Sequence, residues 1–472
     1  MFQEPLRVCL LTYRGNPRSG GQGIYIRLLS KELVAMGNQV DVWSGPPDPE
    51  LQPGVGLVRV PSLDLWNENA LLRFPRISEL RDPINIAEWG RTMLGEFSEP
   101  RTFTQRVART FERLNHELHY DIVHDNQSLG PGLLRLRERL PVVATIHHPV
   151  TMDLKSELAA AANFYRRYGV RRWYSFLPMQ QRVSRLLDRI LTVSQASAND
   201  LERDYGIERN RLRVVGNGIN LDTFKPRPDI KRREGQLVTT LSADMPLKGF
   251  SFLLDAIAEL RRERRSLALT VIGNTRPRSK TAKKIRRLQL EGAIHFTGRV
   301  PAEEIARLYA ESTAAVVASL YEGFGFPAGE AMACEVPVVS TSAGALPEVV
   351  GKDGSCGILV KPGSAEDLTR GIRQMLDASS ETRIRMGKAG RARVEDHFTW
   401  RRAAERTVDV YREVIAERMA EADSARVAMT MIRRGNIANA GLKGSKTGPG
   451  SGLKPPGIAI PVPSSRRGRA TC

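Results

Sequence analysis

Cysteine is scarce in this sequence, which has only four cysteines in 472 residues. Cys9, Cys334, Cys356 and Cys472 stand far apart, with neither a Cys-x-x-Cys pair nor a Cys/His spacing typical of a zinc site. So few cysteines in so long a chain do not form a disulfide scaffold. Hydrophobic residues make up 41% of the chain, which is enough for a large core. We therefore expect a globular protein in a reducing, cytoplasmic location.

Long apolar runs are also missing, since none reaches the roughly 18–20 residues that a membrane-spanning helix needs. The N-terminal MFQEPLRVCLLTY is not typical of a signal peptide, because its apolar stretch is short and Glu4 and Pro5 stand where basic residues belong. We interpret residues 8–11 as a buried strand instead. The sequence contains no Walker A motif and no spacing that supports a Ser-His-Asp triad. These gaps argue against a membrane-embedded protein, a P-loop NTPase and a serine hydrolase.

Acidic residues are too few to balance the basic ones. The formal net charge is +19, from 71 Lys and Arg against 52 Asp and Glu. Such an excess favours anionic partners, which include nucleotide phosphates, acidic lipids and nucleic acid. The chain after Met431 carries eight of the basic residues and no acidic one. Residues 435–472 are rich in Gly, Pro, Ser and Lys, and we predict a disordered basic tail there, because they offer little apolar surface to bury.

Short apolar runs alternate with helical patterns along both halves of the chain. The first half opens with a strand-like run at 6–12 and a helical pattern at 24–36, which Gly37 ends. A second series of strand-like runs starts at 237–241 and finishes at 357–360. Strands that are separated by helices pair in parallel. The sequence therefore predicts an α/β protein with two doubly wound domains.

Composition marks the boundaries between these parts. A stretch rich in proline and charge joins the two domains, so we assign residues 1–222 to the first domain and 223–396 to the second. A helix over 397–420 follows and is expected to cross back to the first domain. Residues 62–118 are rich in Pro and Arg and are predicted to form an irregular insertion over the first domain.

The segment 321–330, YEGFGFPAGE, is the strongest candidate for a ligand-binding loop. It follows a predicted buried strand and precedes a helical run, and its three glycines let the backbone approach a ligand closely. The two carboxylates that bracket it, Glu322 and Glu330, can accept hydrogen bonds from the paired hydroxyls of a ribose or a sugar ring. Alternatively, both glutamates only cap a helix and favour its positive end. The strand–loop–helix context favours the ligand loop.

This loop resembles the E-x7-E signature of family 4 of the retaining glycosyltransferases, which have the GT-B fold. The flanking EAMACEVPVVSTSAGALPEVVG and GILVKPGSAEDL agree with that family, as does NGINLDTFKP at 217–226, and the match runs in order over about residues 6–418. It implies two facing Rossmann-like domains with an interdomain cleft, the first on the acceptor side and the second binding the nucleotide sugar.

The activity implied by the resemblance is transfer of a hexosyl group from a nucleoside diphosphate sugar to a hydroxyl acceptor, with retained configuration. The acceptor would be a glycan, a lipid-linked molecule or a small molecule, in cell-envelope or glycoconjugate biosynthesis. Two alternatives stay open at this point: a GT-B sugar-nucleotide epimerase, and a non-catalytic protein that binds nucleotide sugars. A nucleic-acid partner is not expected, because it would leave the glutamate loop unexplained.

The resemblance also implies roles for single residues. Three would be catalytic, with Glu322 on the donor-sugar hydroxyls, His147 beside the sugar and Lys248 on the donor phosphates. Glu330 would hold the ribose and Gly23 the diphosphate, in a glycine-rich turn whose free N–H groups and following helix suit a phosphate. The full set expected to bind the nucleotide sugar is Gly21, Gly23, Asn217, Phe324, Gly325, Glu330 and Arg299.

One position departs from the family pattern. An Arg that stands about five residues before the phosphate-binding Lys in similar enzymes falls at Ala243 in this chain. Arg276 or Arg299 could supply the missing positive charge. No Asp-x-Asp metal motif is evident, and the family pattern needs no metal, so we expect neither a metal ion nor a cofactor.

The run FYRRYGVRRWYSFL at 164–177 interleaves six aromatic residues with four arginines. It suits a partly buried helix with a solvated Arg face, a surface that contacts an anionic membrane, or a platform for nucleic-acid bases. Many similar enzymes act on lipid-linked acceptors. Among the functional interpretations, peripheral contact with the inner face of the membrane is therefore favoured.

Overall fold

The computed structural model describes residues 4–16, 21–65, 73–114, 119–241 and 245–442. Two parallel sheets organise this part of the chain, one in each half. Residues up to Glu417 form one compact unit, and a second unit begins at Arg418. The predicted α/β fold with two doubly wound domains is confirmed.

The sheet of the first domain consists of parallel strands, and its central strands are buried on both faces. They are β1 (Arg7–Thr12), β2 (Gln39–Ser44), β3 (Val55–Arg59), β4 (Ile122–Asn126), β5 (Val142–Ile146), β6 (Arg189–Thr192) and β7 (Leu212–Val214). Their order across the sheet is β3-β2-β1-β4-β5-β6-β7. The helices around them are α1 (Gly21–Ala35), α2 (Pro83–Met93), α3 (Glu99–Arg113), α4 (Gly132–Arg137), α5 (Thr151–Ala160), α6 (Phe164–Trp173), α7 (Leu177–Ser184) and α8 (Gln195–Tyr205).

Central strand β1 shows why the sequence folds in this way. Its residues 8–11 are completely buried, as is typical of a parallel strand with helices on both faces. Cys9 and Leu11 pack with the residues of α3, whereas Val8 and Leu10 pack with those of α1. Helix α1 stops where it was expected to, because Gly37 takes the left-handed conformation (φ +91°) and donates its N–H to the Val34 carbonyl at 2.8 Å.

The second domain repeats the architecture with β8 (Arg233–Thr240), β9 (Ala268–Ile272), β10 (Ile294–Gly298), β11 (Ser312–Val317), β12 (Val338–Thr341) and β13 (Gly357–Val360). The order of its sheet is β10-β9-β8-β11-β12-β13. Its helices are α9 (Phe250–Glu263), α10 (Lys280–Arg287), α11 (Ala302–Glu311), α12 (Phe326–Ala333), α13 (Leu346–Val350), α14 (Ala365–Asp377) and α15 (Ser380–His397).

The chain passes between the domains twice, and the two crossings touch each other. The Ile219 N–H donates to the Phe398 carbonyl at 2.7 Å, and Ile219 forms a parallel bridge with Thr399. A Cβ at Gly218 would stand only 2.2 Å from the Trp400 nitrogen, so the second crossing fits only against a glycine. The two polypeptide connections are therefore bound side by side.

The last helix, α16 (Trp400–Leu442), is longer than expected. Its first turns pack on the first domain, where Trp400, Ala404 and Tyr411 are buried with residues of β1. The helix continues through residues 435–442, so the first part of the segment predicted to be disordered is helical. The rest of that predicted tail, 443–472, lies outside the described residues.

The prediction of an irregular insertion over 62–118 is wrong, because α2 and α3 lie within it. The missed signal is the spacing of Phe103, Val107 and Phe111, which recurs every four residues and forms one face of α3. All three are buried in the core of the first domain. Many Arg and polar residues on the other face of α3 concealed this pattern.

Replacing Phe111 by Ala should therefore lower the free energy of unfolding by about 3–5 kcal/mol. The ring is 3% exposed and packs 5.9 Å from the Trp43 ring and 6.1 Å from the Tyr120 ring, measured between centroids. Chemical unfolding measures the effect. The matched control is Phe164→Ala, which removes a ring that is 71% exposed and should change stability by less than about 0.5 kcal/mol. Equal effects would place α3 outside the core.

Candidate active site

The carboxyl ends of strands from both domains meet at one cleft, the place where open α/β sheets bind ligands. The cleft has a volume of about 430 Å³ and is lined from both sides. His147 follows the end of β5 in the first domain, and Glu322 follows the end of β11 in the second. Both side chains line the cleft. The structure therefore brings these two predicted residues together although 175 positions separate them in the sequence.

Glu322 is held in place by hydrogen bonds from two directions. Its Oε1 accepts from Lys248 Nζ at 2.7 Å and from Ser319 Oγ at 2.7 Å. Thr341 Oγ1 donates to the Ser319 carbonyl at 2.6 Å and fixes the strand end from which the loop departs. The side chains of Glu322 and Lys248 are 11% and 23% exposed, so this ion pair is largely buried, and its Glu322 lines the cleft.

Glycine lets the second domain approach the first at this loop. A Cβ at Gly323 would stand 2.4 Å from the His147 carbonyl oxygen, a distance that no side chain tolerates. Gly325 has φ +106° and is the N-cap of α12. A Cβ built on Gly21, at the start of α1, would stand 3.9 Å from the ring of Phe326, the first residue of α12. The starts of α1 and α12 therefore face each other across the cleft, and both turn their positive ends toward it.

His147 is fixed as a neutral imidazole. Its Nε2 is hydrogen-bonded to Asn126 Oδ1 at 2.7 Å, and its ring packs edge-on against Tyr25 with centroids 4.7 Å apart. Burial, with smaller contributions from the neighbouring histidines, lowers the pKa of His147 to about 3. A histidine with this pKa is neutral at neutral pH and keeps a single ring N–H, so it can position a sugar but cannot act as a cationic acid.

Glu330 lies one turn into α12, apart from Glu322. Within the described residues its carboxylate has no hydrogen-bond partner, and burial raises its pKa to about 7. It adds to the raised pKa values of Tyr309 and Cys334, which shows that all three groups are close. Glu330 is not among the residues that line the cleft itself. Glu330 is half-buried, and a ligand that donates hydroxyl hydrogen bonds would compensate its carboxylate for the lost water.

The other predicted binding residues fall into three groups. Gly21, Asn217, Phe324 and Gly325 line the cleft. Gly23 is buried against the backbone. A Cβ there would stand 2.0 Å from the Asn16 carbonyl oxygen, so close packing alone requires a glycine at this position. Arg299 is exposed in the turn after β10. Ala243, the position of the missing Arg, lies outside the described residues.

Comparison with known proteins agrees with this geometry. The chain matches the family models "Glycosyl transferases group 1" over residues 222–393 and "Glycosyltransferase Family 4" over residues 19–223. It is 44% identical over 413 residues to a protein from Mycolicibacterium hassiacum named MMP alpha-(1->4)-mannosyltransferase, and the match covers 87% of this chain and 99% of that relative. The chain belongs to glycosyltransferase family 4. It is an enzyme that transfers a sugar from a nucleotide sugar.

More distant relatives and solved structures place this glycosyltransferase in the GT-B fold. A D-inositol 3-phosphate glycosyltransferase from Streptomyces bingchenggensis is 28% identical, with 88% of this chain and 90% of the relative covered. Sucrose-phosphate synthase from Thermosynechococcus elongatus superposes with a TM-score of 0.66 at 25% identity, over 87% of this chain and all of that one. Anabaena HepE, solved with UDP and glucose, gives a TM-score of 0.61 at 18% identity, over 86% and 99% of the two chains, and shows the fold alone.

The glycosyltransferase contains a positioning residue that the sequence did not reveal, Gln127. Its Oε1 accepts from the His147 N–H at 2.8 Å, and its Nε2 donates to the His148 carbonyl at 3.0 Å. One side chain thus fixes both sides of the turn that carries His147. Gln127 has φ +58°, which is uncommon for a residue other than glycine and often occurs at functional sites.

Replacing Gln127 by Ala should lower kcat by about ten- to a hundredfold, because His147 and the backbone around it would lose their position. The loss of stability should stay under about 2 kcal/mol, the usual range for unpaired hydrogen-bonding groups. Steady-state kinetics and thermal unfolding measure the two effects. Gln127→Asn is the control for backbone strain, since Asn tolerates a positive φ but cannot reach both partners. If the Asn variant retained full activity, the two hydrogen bonds would be irrelevant.

The aromatic run at 164–177 is split between two surroundings. Phe164, Tyr165 and Tyr168 on α6 are exposed. In contrast, Trp173, Tyr174 and Phe176 line the cleft, where Phe97 joins them from the segment between α2 and α3. No described helix of the glycosyltransferase is long and apolar enough to cross a membrane.

Proposed function

We propose that this glycosyltransferase transfers an α-mannosyl unit from a nucleoside diphosphate mannose to a hydroxyl group of a carbohydrate, with retained configuration. The observation that carries the proposal is that Glu322, which is paired with Lys248, lines the interdomain cleft together with His147. The choice of mannose rests on the mannosyltransferase that is 44% identical over nearly its whole length. The product would be a glycan or another glycoconjugate.

In the proposed reaction the bond between the anomeric carbon and the diphosphate breaks, and the acceptor oxygen bonds to the same face of that carbon. Negative charge grows on the leaving diphosphate, so groups that stabilise it lower the barrier. An ammonium group has three N–H donors, and Lys248 can therefore keep its bond to Glu322 and also donate to a phosphate oxygen. The starts of α1 and α12 add positive potential on either side. The leaving phosphate would take the proton of the acceptor hydroxyl.

The remaining roles follow from the environment of each residue. Glu322, kept in place by Lys248 and Ser319, would accept hydrogen bonds from donor-sugar hydroxyls as positive charge develops on the ring. Neutral His147 would contact and position the sugar. Glu330, which has no partner within the described residues, would accept the two ribose hydroxyls.

A donor screen tests the proposal. Thermal shift with GDP-mannose, UDP-glucose and UDP-N-acetylglucosamine should give its largest shift with a nucleoside diphosphate mannose, and NMR of the product should show an α-linked anomeric proton. A shift with glucose or N-acetylglucosamine donors only would reject the mannose assignment. Release of an altered nucleotide sugar without an acceptor would point to an epimerase instead.

We also propose that the reaction needs no metal ion, because Lys248 and the two helix starts supply positive charge for the diphosphate. Turnover should be the same with and without EDTA after exhaustive dialysis. If EDTA abolished turnover and Mg²⁺ or Mn²⁺ restored it, the metal-independent reaction would be contradicted.

The exposed side of α6 supports a further proposal, peripheral contact with an anionic membrane. Phe164, Tyr165 and Tyr168 are 71%, 84% and 59% exposed and stand among arginines on the same helix. Aromatic rings at headgroup depth together with Arg next to anionic lipid favour such contact. The protein should cosediment with vesicles that contain an anionic lipid, less so at high salt, and not with purely zwitterionic vesicles. Equal sedimentation with both kinds of vesicle would reject the electrostatic part.

A further inference from the structure

Four polar side chains form a buried network between helix α16 and the turn that carries His147. Tyr411 of α16 places its Oη 2.6 Å from His124 Nδ1, and His124 Nε2 stands 2.7 Å from Thr145 Oγ1. Thr145 Oγ1 is in turn 2.9 Å from Tyr25 Oη. We call these four residues, Tyr411, His124, Thr145 and Tyr25, the α16 network. It connects α16 with β4, β5 and α1 inside the first domain.

Burial gives the hydrogen bonds at the α16 end one direction. Tyr411 is completely buried, and its hydroxyl has no second partner within the described residues. A buried hydroxyl without an acceptor is costly, so the Tyr411 O–H donates to His124 Nδ1. His124 is neutral, because burial lowers its pKa to about 3. Its single ring proton is therefore on Nε2 and donates to Thr145 Oγ1. The Tyr411 hydroxyl thus fixes the tautomer of His124.

The other end of the network meets His147. The ring of Tyr25 packs edge-on against the His147 ring, with centroids 4.7 Å apart and planes at 80°. Helix α16 supports the same ring a second time, since Trp400 meets Tyr25 at 5.8 Å between centroids. Tyr25 is only 5% exposed. The His147 imidazole therefore packs on a ring that α16 holds both directly and through the network.

The orientation of the His147 ring decides where its acceptor nitrogen points. Asn126 Nδ2 donates to the Gln22 carbonyl at 3.2 Å, so Asn126 Oδ1 accepts the Nε2–H of His147. The other ring nitrogen, Nδ1, is then an acceptor and has no partner within the described residues. Its lone pair lies in the plane of the ring. One hydrogen bond at Nε2 does not fix that plane, whereas the packing of Tyr25 against the ring does.

We propose that Tyr411 is a positioning residue for His147, so that α16 belongs to the active site although none of its described residues lines the cleft. The Tyr411 hydroxyl fixes the tautomer of His124, which presents its N–H to Thr145. Thr145 holds the hydroxyl of Tyr25, whose ring sets the plane of the His147 imidazole. The proposal rests on the proposed function, in which His147 contacts and positions the donor sugar.

Tyr411→Phe tests the proposal, because it keeps the ring and removes only the hydroxyl. His124 then loses the donor that fixes its tautomer, and the support of His147 is weakened. We expect kcat to fall about tenfold, since a small displacement of a group that orients a reactant can cost up to about 100-fold. The donor KM should change less than about twofold. Steady-state kinetics measures both parameters.

The matched control is Tyr120→Phe. It removes a hydroxyl of the same domain that donates to Asp41 at 2.7 Å, and Tyr120 does not line the cleft. Thermal unfolding should show a loss of stability for both variants, but only Tyr411→Phe should slow turnover. A loss of kcat in Tyr411→Phe that is no larger than in Tyr120→Phe would overturn the proposal.

A double-mutant cycle shows whether the effect of Tyr411 passes through His147. In a His147→Ala background, Tyr411→Phe should lower kcat no further, because no imidazole is left to be positioned. A general loosening of the domain would instead lower kcat by the same factor in both backgrounds. That second outcome would reject the positioning role.

The middle of the network offers an independent pair of variants at Thr145, which is 2% exposed. Thr145→Val keeps the size of the side chain without the hydroxyl, and Thr145→Ser keeps the hydroxyl. We expect Thr145→Val to lower kcat about as much as Tyr411→Phe, and Thr145→Ser to retain most of the activity. Equal turnover of the two variants would show that the hydrogen bonds of the network do not matter.

Failure of this proposal can be told apart from failure of the proposed function. The kcat ratios can be measured with whichever nucleotide sugar is turned over, so an error in the mannose assignment does not affect them. If His147→Ala retains full turnover, the role of His147 in the proposed function fails, and the role of Tyr411 fails with it. If His147→Ala is slow and Tyr411→Phe is not, only the present inference fails.

Discussion

Replacing Glu322 by Gln is expected to lower kcat by about 100- to 1,000-fold, the usual loss when one preorganised electrostatic partner of a transition state is removed. The amide is the same size, so the cleft keeps its shape. It carries no charge, however, and can neither balance Lys248 nor stabilise positive charge on the sugar ring. The KM for the donor should change much less than kcat, because the lost interaction is strongest in the transition state. Initial-rate kinetics at saturating donor measures the change.

Thermal unfolding provides the control that the Glu322 experiment needs. The variant leaves the Lys248 ammonium without a charged partner, but that ammonium is 23% exposed and water can reach it. The melting temperature should therefore stay close to that of the wild type. Glu395→Gln removes a half-exposed carboxylate of the same domain that pairs with Arg391 and should leave turnover unchanged. Near-normal turnover of Glu322→Gln would exclude Glu322 from the chemistry.

The second large effect is expected at Glu330, whose replacement by Gln should stabilise the protein and weaken donor binding at the same time. Burial raises the pKa of Glu330 from 4.5 to about 7. Between these two pH values the unfolded chain has released the proton and the folded protein still holds it. The wild type therefore loses stability as the pH rises through this window, by up to about 3 kcal/mol, and stays at the lower level above pH 7. Glu330→Gln has no such proton and should be the more stable protein at pH 8, but not at pH 4.5.

The Glu330→Gln change that raises stability at pH 8 should lower the affinity for the donor. If the ionised carboxylate accepts the ribose hydroxyls, its affinity for the donor rises with pH up to about 7, and binding releases a proton. Glu330→Gln should bind the donor about 10- to 100-fold more weakly at pH 8, since a hydrogen bond to a charged group is worth about 1.5–3 kcal/mol. The difference should shrink at pH 6. Calorimetric titration in two buffers of different ionisation enthalpy checks both the affinity and the proton release. An unchanged affinity at pH 8 would place the ribose elsewhere.

The sequence predicted the buried central strands well, but it did not predict edge strand β3 or helix α3. The continuous apolar run of β1 identifies a strand that is buried on both faces, so its predicted position, residues 6–12, agrees with the structure within one residue. Edge strand β3 was missed because it is half-buried and carries no such run. Helix α3 was missed because its composition is mostly polar, and only the spacing of its three buried residues shows which face packs.

Two of the predicted site residues line one cleft for a related reason. His147 stands directly after the end of β5 and Glu322 lies in the loop that follows β11, and parallel strands bring such positions to one edge of their sheet. The contact between Lys248 and Glu322 joins residues 74 positions apart, and no local pattern indicates it. The role of Gln127 is even harder to predict from the sequence, since its positive φ and its two backbone partners depend on tertiary packing. The cleft brings Phe97 together with Trp173, Tyr174 and Phe176, which are 76 to 79 positions away, so the sequence showed an aromatic run but not that half of its rings line the cleft.

The paired crossings between the domains determine how the cleft can open. Because the segments at 217–219 and 398–400 are bonded to each other, neither connection is stretched when one domain turns relative to the other about that line. The two connections then act as one hinge, whose axis runs through both segments. Rotation about this axis widens the entrance for the nucleotide sugar most at the end of the cleft that is far from the axis, and least beside it.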